Sequence, residues 1–208
     1  MYRLSGAVLA AALIFAPAVA TAQTPPAEGA QPSPTPRPMS DFLVNQPHVP
    51  NWNIWGLPNG PERRPDPDVT GGQALRVVVD RQGDPWSVGG VMPTHAAIQA
   101  GDVLLLAVWL RAVPAEGADD AAARISLLGL EQKDVANGMI AMASDLTLNA
   151  RWRLVYVSGV APKDYAADQT NIIIHLAAQP QTIDVGPALL FDMGPDFDRA
   201  RLPVNAAP

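Results

Sequence analysis

The stretch Gly101–Val113, GDVLLLAVWLRAV, decides the fold. With the two-residue period of a β-strand, Leu104, Leu106, Val108 and Leu110 line one face, and Val103, Leu105, Ala107, Trp109 and Arg111 the other. The first face is that of a core. The second begins apolar and ends in a large aromatic beside a cation, which suits either a second packing layer or a surface on which something flat rests.

The same reading extends along the chain. Short runs at 74–80, 86–92, 103–112, 124–131, 139–148, 151–160, 171–177 and 182–191 are separated by Gly, Pro, Asp and Asn. Helical periodicity is nearly absent; THAAIQAG, 94–101, is either one helical turn or a strand-to-turn connection. This many short strands predicts an all-β fold, a two-sheet antiparallel β-sandwich or jelly roll.

Upstream of these strands, Arg3, the apolar run Gly6–Phe15 and the small residues of Ala20-Thr21-Ala22 have the pattern of a cleaved export signal spanning residues 1–23. Pro17 interrupts the run before the about 20 apolar residues that a membrane span needs. The sequence therefore predicts a periplasmic or extracellular protein that is not inserted in the membrane after cleavage. With no cysteine, disulfides, thiol catalysis and thiolate metal sites are excluded. Residues 24–38 are a Pro-rich linker or tail, 39–195 one domain, and 196–208 a C-terminal tail. A net charge of -6 without a Lys/Arg cluster argues against nucleic acid and anionic membranes as partners.

Four of these runs, in this order and spacing, carry a resemblance. GGQALRVVVDRQGDPWSVGGV, AGDVLLLAVWLRAV, ARWRLVYVSGVAP and NIIIHLAAQPQTIDVGPALLFDMG together resemble the carbohydrate-binding module superfamily that groups families four, nine and twenty-two. Gly72, Ala74, Leu75 and Val77 match its glycine-led strand, and Arg81 and Trp86 its following Arg and Trp. Gly101, Ala107, Trp109 and Leu110 match the superfamily's next strand, with Leu104 where it usually has Tyr; Arg151 and Trp152 through Tyr156 match the strand that follows. The resemblance implies a galactose-binding-like jelly roll that binds a polysaccharide or oligosaccharide, often beside a glycoside hydrolase, here a separate polypeptide. In the closing strand, Gly186-Pro187 stands where the superfamily carries a carboxylate pair, so no cofactor and little dependence on calcium are expected.

A pyranose presents an apolar C–H face and a rim of hydroxyls, and is met by a flat aromatic and by forked or planar polar groups. The candidate ligand residues are Trp86, Trp109, Arg81, Arg111, Arg76, His175 and Asn171. If strands 74–80, 103–112 and 171–177 share a sheet, their outer residues form one mixed aromatic and polar surface. Each candidate has a plainer reading. Trp152 belongs to packing at the core or sheet edge; Trp52 and Trp55 in NWNIWG are either a loop platform or an anchor; Arg81 either binds sugar or pairs with Asp80 or Asp84. His48, His95 and His175 are too scattered for a metal site. No G-x-S-x-G, H-E-x-x-H or phosphate loop is present, and the carboxylates fall mostly at strand ends. The sequence thus favours a non-catalytic carbohydrate-binding module over an envelope interaction sandwich, and either over a glycan-active hydrolase.

Overall fold

A computed structural model describes residues 37–205. The export-signal expectation, and that for residues 24–36 of the linker, lie outside the described residues. The chain forms β1 (Asn53–Trp55), β2 (Glu62–Pro65), β3 (Gln73–Val79), β4 (Gly89–Pro93), β5 (Val103–Ala112), β6 (Ala122–Gln132), β7 (Met139–Asn149), β8 (Arg153–Val160), β9 (Thr170–His175) and β10 (Gln181–Asp192). They build two antiparallel sheets, in the orders β1-β4-β9-β6-β7 and β2-β3-β10-β5-β8. This is the expected all-β sandwich.

The core lies between the sheets and follows from alternation. Leu75, Val77 and Val79 of β3, Leu104, Leu106, Val108 and Leu110 of β5, Ile183 and Val185 of β10, and Val155 and Val157 of β8 face inward from one sheet. Met92, Ile172, Ile174, Leu128, Leu130 and Leu148 meet them from the other. Each side chain of this size contributes about 1.5–3 kcal/mol on burial. The segment before β1 stitches the sheets together. Val44 N–H donates to the Leu190 carbonyl, Asn45 Nδ2 donates to the Ala188 carbonyl, and Asn45 Oδ1 accepts from Leu190 N–H, while Asn45 also bridges Thr94 of the opposite layer.

Two strands escape the sequence reading. β1 is three residues long and β2 is ERRP, too polar and too short to show a periodic pattern. The 94–101 stretch resolves as a strand-to-turn connection in which Ile98 bridges Tyr165. The central strand β10 holds Pro187, which has no N–H to give the ladder, and the chain accommodates it with a register shift between Val185 and Ala188. Buried Trp52 donates from Nε1 to the Gly186 carbonyl at this bulge, 3.0 Å away, which makes it an anchor.

Candidate sugar-binding face

The structure separates the seven candidate residues into three places, and the single shared surface expected from the sequence does not form. β3 and β5 lie in one sheet with β10 between them; β9 lies in the other. Alternation shows which side chains point outward, but long-range pairing decides to which sheet they belong.

On the outer face of the β2-β3-β10-β5-β8 sheet, Arg76, Asp184 and Arg111 stand side by side in register. Arg76 gives Nε and Nη2 to the two Asp184 oxygens at 2.8 and 2.9 Å, and Arg111 gives Nε and Nη2 to Asp184 Oδ2 at 2.9 and 2.7 Å. Arg111 Nη2 also reaches Asp66 Oδ2 at 2.7 Å, and its guanidinium lies 4.7 Å from the centre of the Trp152 ring. Trp152 Nε1 donates to the same Asp66 oxygen at 3.3 Å, so Trp152 packs on this outer face and is only half-buried. Burial works to raise the pKa of the Asp184 carboxyl, but the two guanidiniums outweigh it and hold the group below the ordinary carboxylate range. The Arg76 pKa is raised, chiefly by the bond to Asp184. Two cations and two carboxylates thus satisfy one another. Trp109 is half-buried opposite the β10 bulge. A Cβ at Gly186 would sit 2.8 Å from Trp109 Cβ and 2.9 Å from Val69 Cγ2, so position 186 has no room for the carboxylate that the resemblance would put there.

The outer face of the other sheet is organised differently. Its register sets Trp55, Gly89, His175, Leu127 and Ser144 in one row across the strands, and Asn53, Val91, Ile173, Gly129 and Met142 in the next. Pro93, Asn171 and Glu131 follow. A Cβ at Gly89 would lie 2.5 Å from Trp55 Cζ2 and 3.0 Å from Cη2, so the six-membered ring of Trp55 fills the space of the missing side chain. The indole is fixed by its Nε1, which donates to the Trp86 carbonyl at 2.9 Å, and His175 meets it edge-on with ring centres 6.5 Å apart. Burial lowers the His175 pKa, so the imidazole is neutral at neutral pH, with one nitrogen donating and the other accepting. Burial pushes the Glu131 carboxyl up, while its hydrogen bond with Asn171 pulls the other way. Trp86 and Met142 are each 58% exposed.

Trp86 and Arg81 belong to the β3–β4 loop, where Arg81 lines a cleft of about 480 Å³ and Trp86 precedes Ser87 of its wall. Trp55, Asn53 and Glu131 are additions to the candidate set. For Trp55, the signal in the sequence is its place in NWNIWG, where it reads as a loop platform or an anchor. Among the described residues no three His, Asp or Glu side chains group as a metal centre requires.

No protein-family model and no curated protein matches this chain. Solved structures do. The second N-terminal cellulose-binding domain of β-1,4-glucanase C from Cellulomonas fimi is 17% identical with a TM-score of 0.49, over 72% of this chain and 95% of that domain. A family 22 xylan-binding domain from Paenibacillus barcinonensis is 11% identical with a TM-score of 0.45, over 74% and 92%. An arabinose-bound α-L-arabinofuranosidase is 15% identical with a TM-score of 0.48, over 72% of this chain but only 25% of the enzyme, so the chain spans a quarter of its length. Modules of families four and twenty-two are both among these similar structures.

Proposed function

We propose that this chain is an exported, non-catalytic module that binds a neutral polysaccharide across the outer face of the β1-β4-β9-β6-β7 sheet. The observation that carries the reading is Trp55, whose ring occupies the space above Gly89 and is pinned there by its own N–H. A pinned indole offers an apolar plane to the C–H face of a pyranose without losing rotamer freedom on binding. Neutral His175 beside it, and Asn171 four residues along the same strand face, supply donors and acceptors for hydroxyls, about 13 Å apart at 3.3 Å per residue. One carboxyl, Glu131, stands in these rows, whereas glycoside hydrolysis of the usual kind needs two flanking the bond. The opposite face is the weaker site, because its guanidiniums already spend their forks on Asp184 and Asp66.

The test is retardation in native gels containing soluble xylan or barley β-glucan, with binding constants from titration calorimetry. Trp55→Ala is expected to lose about 1–3 kcal/mol of affinity, the scale of a stacked aromatic in ring-face recognition. His175→Ala weakens binding less while leaving the melting curve close to wild type. A folded Trp55→Ala variant that is retarded like the wild type would refute the placement. A sandwich that serves as an envelope interaction protein would be retarded by neither glycan.

A further inference from the structure

The end of the sandwich between the β1–β2 and β3–β4 loops holds a cleft that the sheet face does not use. It is about 480 Å³ in volume and is lined by Leu57, Pro58 and Val78 on its apolar side and by Asp80, Arg81 and Ser87 on its polar side. That volume lies within the range of small-ligand sites. Its wall is closed by a contact that only glycine permits: Gly56 has φ 81°, and a Cβ there would strike the Ser87 carbonyl oxygen. Arg76 and Arg111 on the neighbouring sheet face are paired with Asp184 and Asp66, but Asp80 and Arg81 take part in none of the ion pairs found among the described residues. The cleft therefore presents a guanidinium donor and a carboxylate acceptor that do not neutralise each other.

The cleft is also continuous with the proposed platform. Gly56 follows Trp55 in the chain, and Ser87 follows Trp86, whose carbonyl holds the Trp55 indole. A glycan crossing the sheet face along the row from Leu127 through His175 to Trp55 leaves the sheet beside exposed Trp86, the residue that precedes Ser87 of the cleft wall. Resting on the carbohydrate reading above, we infer that the cleft is an end-binding subsite for the terminal residue of a neutral glycan chain. In it Trp86 covers the ring, while Arg81 donates to and Asp80 accepts from adjacent hydroxyls of that residue. A chain end has free hydroxyls that an internal residue spends on linkage, and it alone enters a walled cleft, whereas internal residues fit an open face.

The experiment compares cellohexaose and xylohexaose with soluble xylan and barley β-glucan, by titration calorimetry on the full chain. The variants are Arg81→Ala, Asp80→Asn and Trp55→Ala. Arg81 and Asp80 are exposed, so their variants are expected to melt like the wild type. Each is expected to lower hexasaccharide affinity about tenfold, the loss of one hydrogen-bonding partner at about 1.4 kcal/mol. Polymer affinity, held by internal residues on the sheet, falls less than about threefold. Hexasaccharide affinity within about threefold of wild type in both variants overturns the subsite, and leaves the sheet-face reading standing if Trp55→Ala still loses the polymer. A wild-type chain that binds none of the four glycans overturns both.

Discussion

Asp184→Asn decides whether Arg76 and Arg111 hold the fold or wait for a ligand. The carboxylate is 1% exposed and accepts four hydrogen bonds of 2.7–2.9 Å, two from each guanidinium. Asparagine keeps the shape but removes the charge, and its amide brings two N–H donors to face cations. Removing one partner from a buried ion pair costs about 3–5 kcal/mol, because the remaining charge is left uncompensated. The two arginines here keep 19% and 23% side-chain exposure, and Arg111 retains Asp66, so the lower end applies, about 3 kcal/mol. For a chain of this length that corresponds to a fall in Tm of roughly 6–12 °C. Calorimetric melting at pH 7 measures it, with Arg124→Ala as the control, since the Arg124–Asp145 pair is more than half exposed and worth about 0–1 kcal/mol. The sign of the pH dependence is fixed by the lowered Asp184 pKa. The folded chain binds this proton less readily than the unfolded one, so the stabilisation is present above the unfolded carboxyl pKa of about 3.9 and is lost as pH falls through the lower folded value. The wild-type advantage over Asp184→Asn should fade only in that acid range. Glycan binding on the opposite sheet should be unchanged. A variant that melts within about 2 °C of wild type yet loses glycan binding would refute the reasoning and return the site to the Arg76–Arg111 face.

Three further outcomes are expected. Burial raises the Asp192 pKa, with Asp102 adding to the shift against the Gly194 N–H, so its ionisation at neutral pH opposes folding; Asp192→Asn should melt above wild type at pH 7 and equally with it below about pH 4, and a destabilised variant at pH 7 would count against it. Asn205 accepts Tyr156 N–H at 2.8 Å and donates to the Tyr156 carbonyl at 2.9 Å, so its amide takes the place of a neighbouring strand along the outer edge of β8; Asn205→Ala should self-associate more at high concentration in light scattering, and an unchanged monomer would remove that role. Gly186 has no room for a side-chain carboxylate, so adding calcium or a chelator should shift Tm by less than about 2 °C, and a larger shift would reveal ligands elsewhere.

How much was legible depends on the range of the interaction that fixed each feature. The eight longer strands were legible because alternation is local: Leu104, Leu106, Val108 and Leu110 point inward as their spacing requires. Asn171 and His175 also point outward as read, because they share the parity of their strand. Sheet membership is not local. β5 pairs with β10, whose residues follow it by more than 70 positions, and nothing in either run says that β9 will lie in the opposite layer. The question posed by the outer face of β5 is answered by that pairing. Val103, Leu105 and Ala107 are buried although they stand on the outward parity of the strand, as a second packing layer requires. Trp109 then faces the bulge, and Arg111 reaches across to Asp184. An arginine at the outward position of a strand that is apolar on both sides is more readily explained by a buried carboxylate on its neighbour than by a ligand, since desolvating a guanidinium without a counter-charge costs several kcal/mol. Asp184 was the matching residue, an acid at an outward position within the predicted strand 182–191. Trp55 was harder to place for the opposite reason: what gives its ring room on the sheet is an absent side chain at Gly89, on a strand that meets it only through tertiary pairing. The proposed binding face is accordingly the one where charge is scarce and a glycine leaves room for an indole, while the face richest in Trp and Arg uses them to hold itself together.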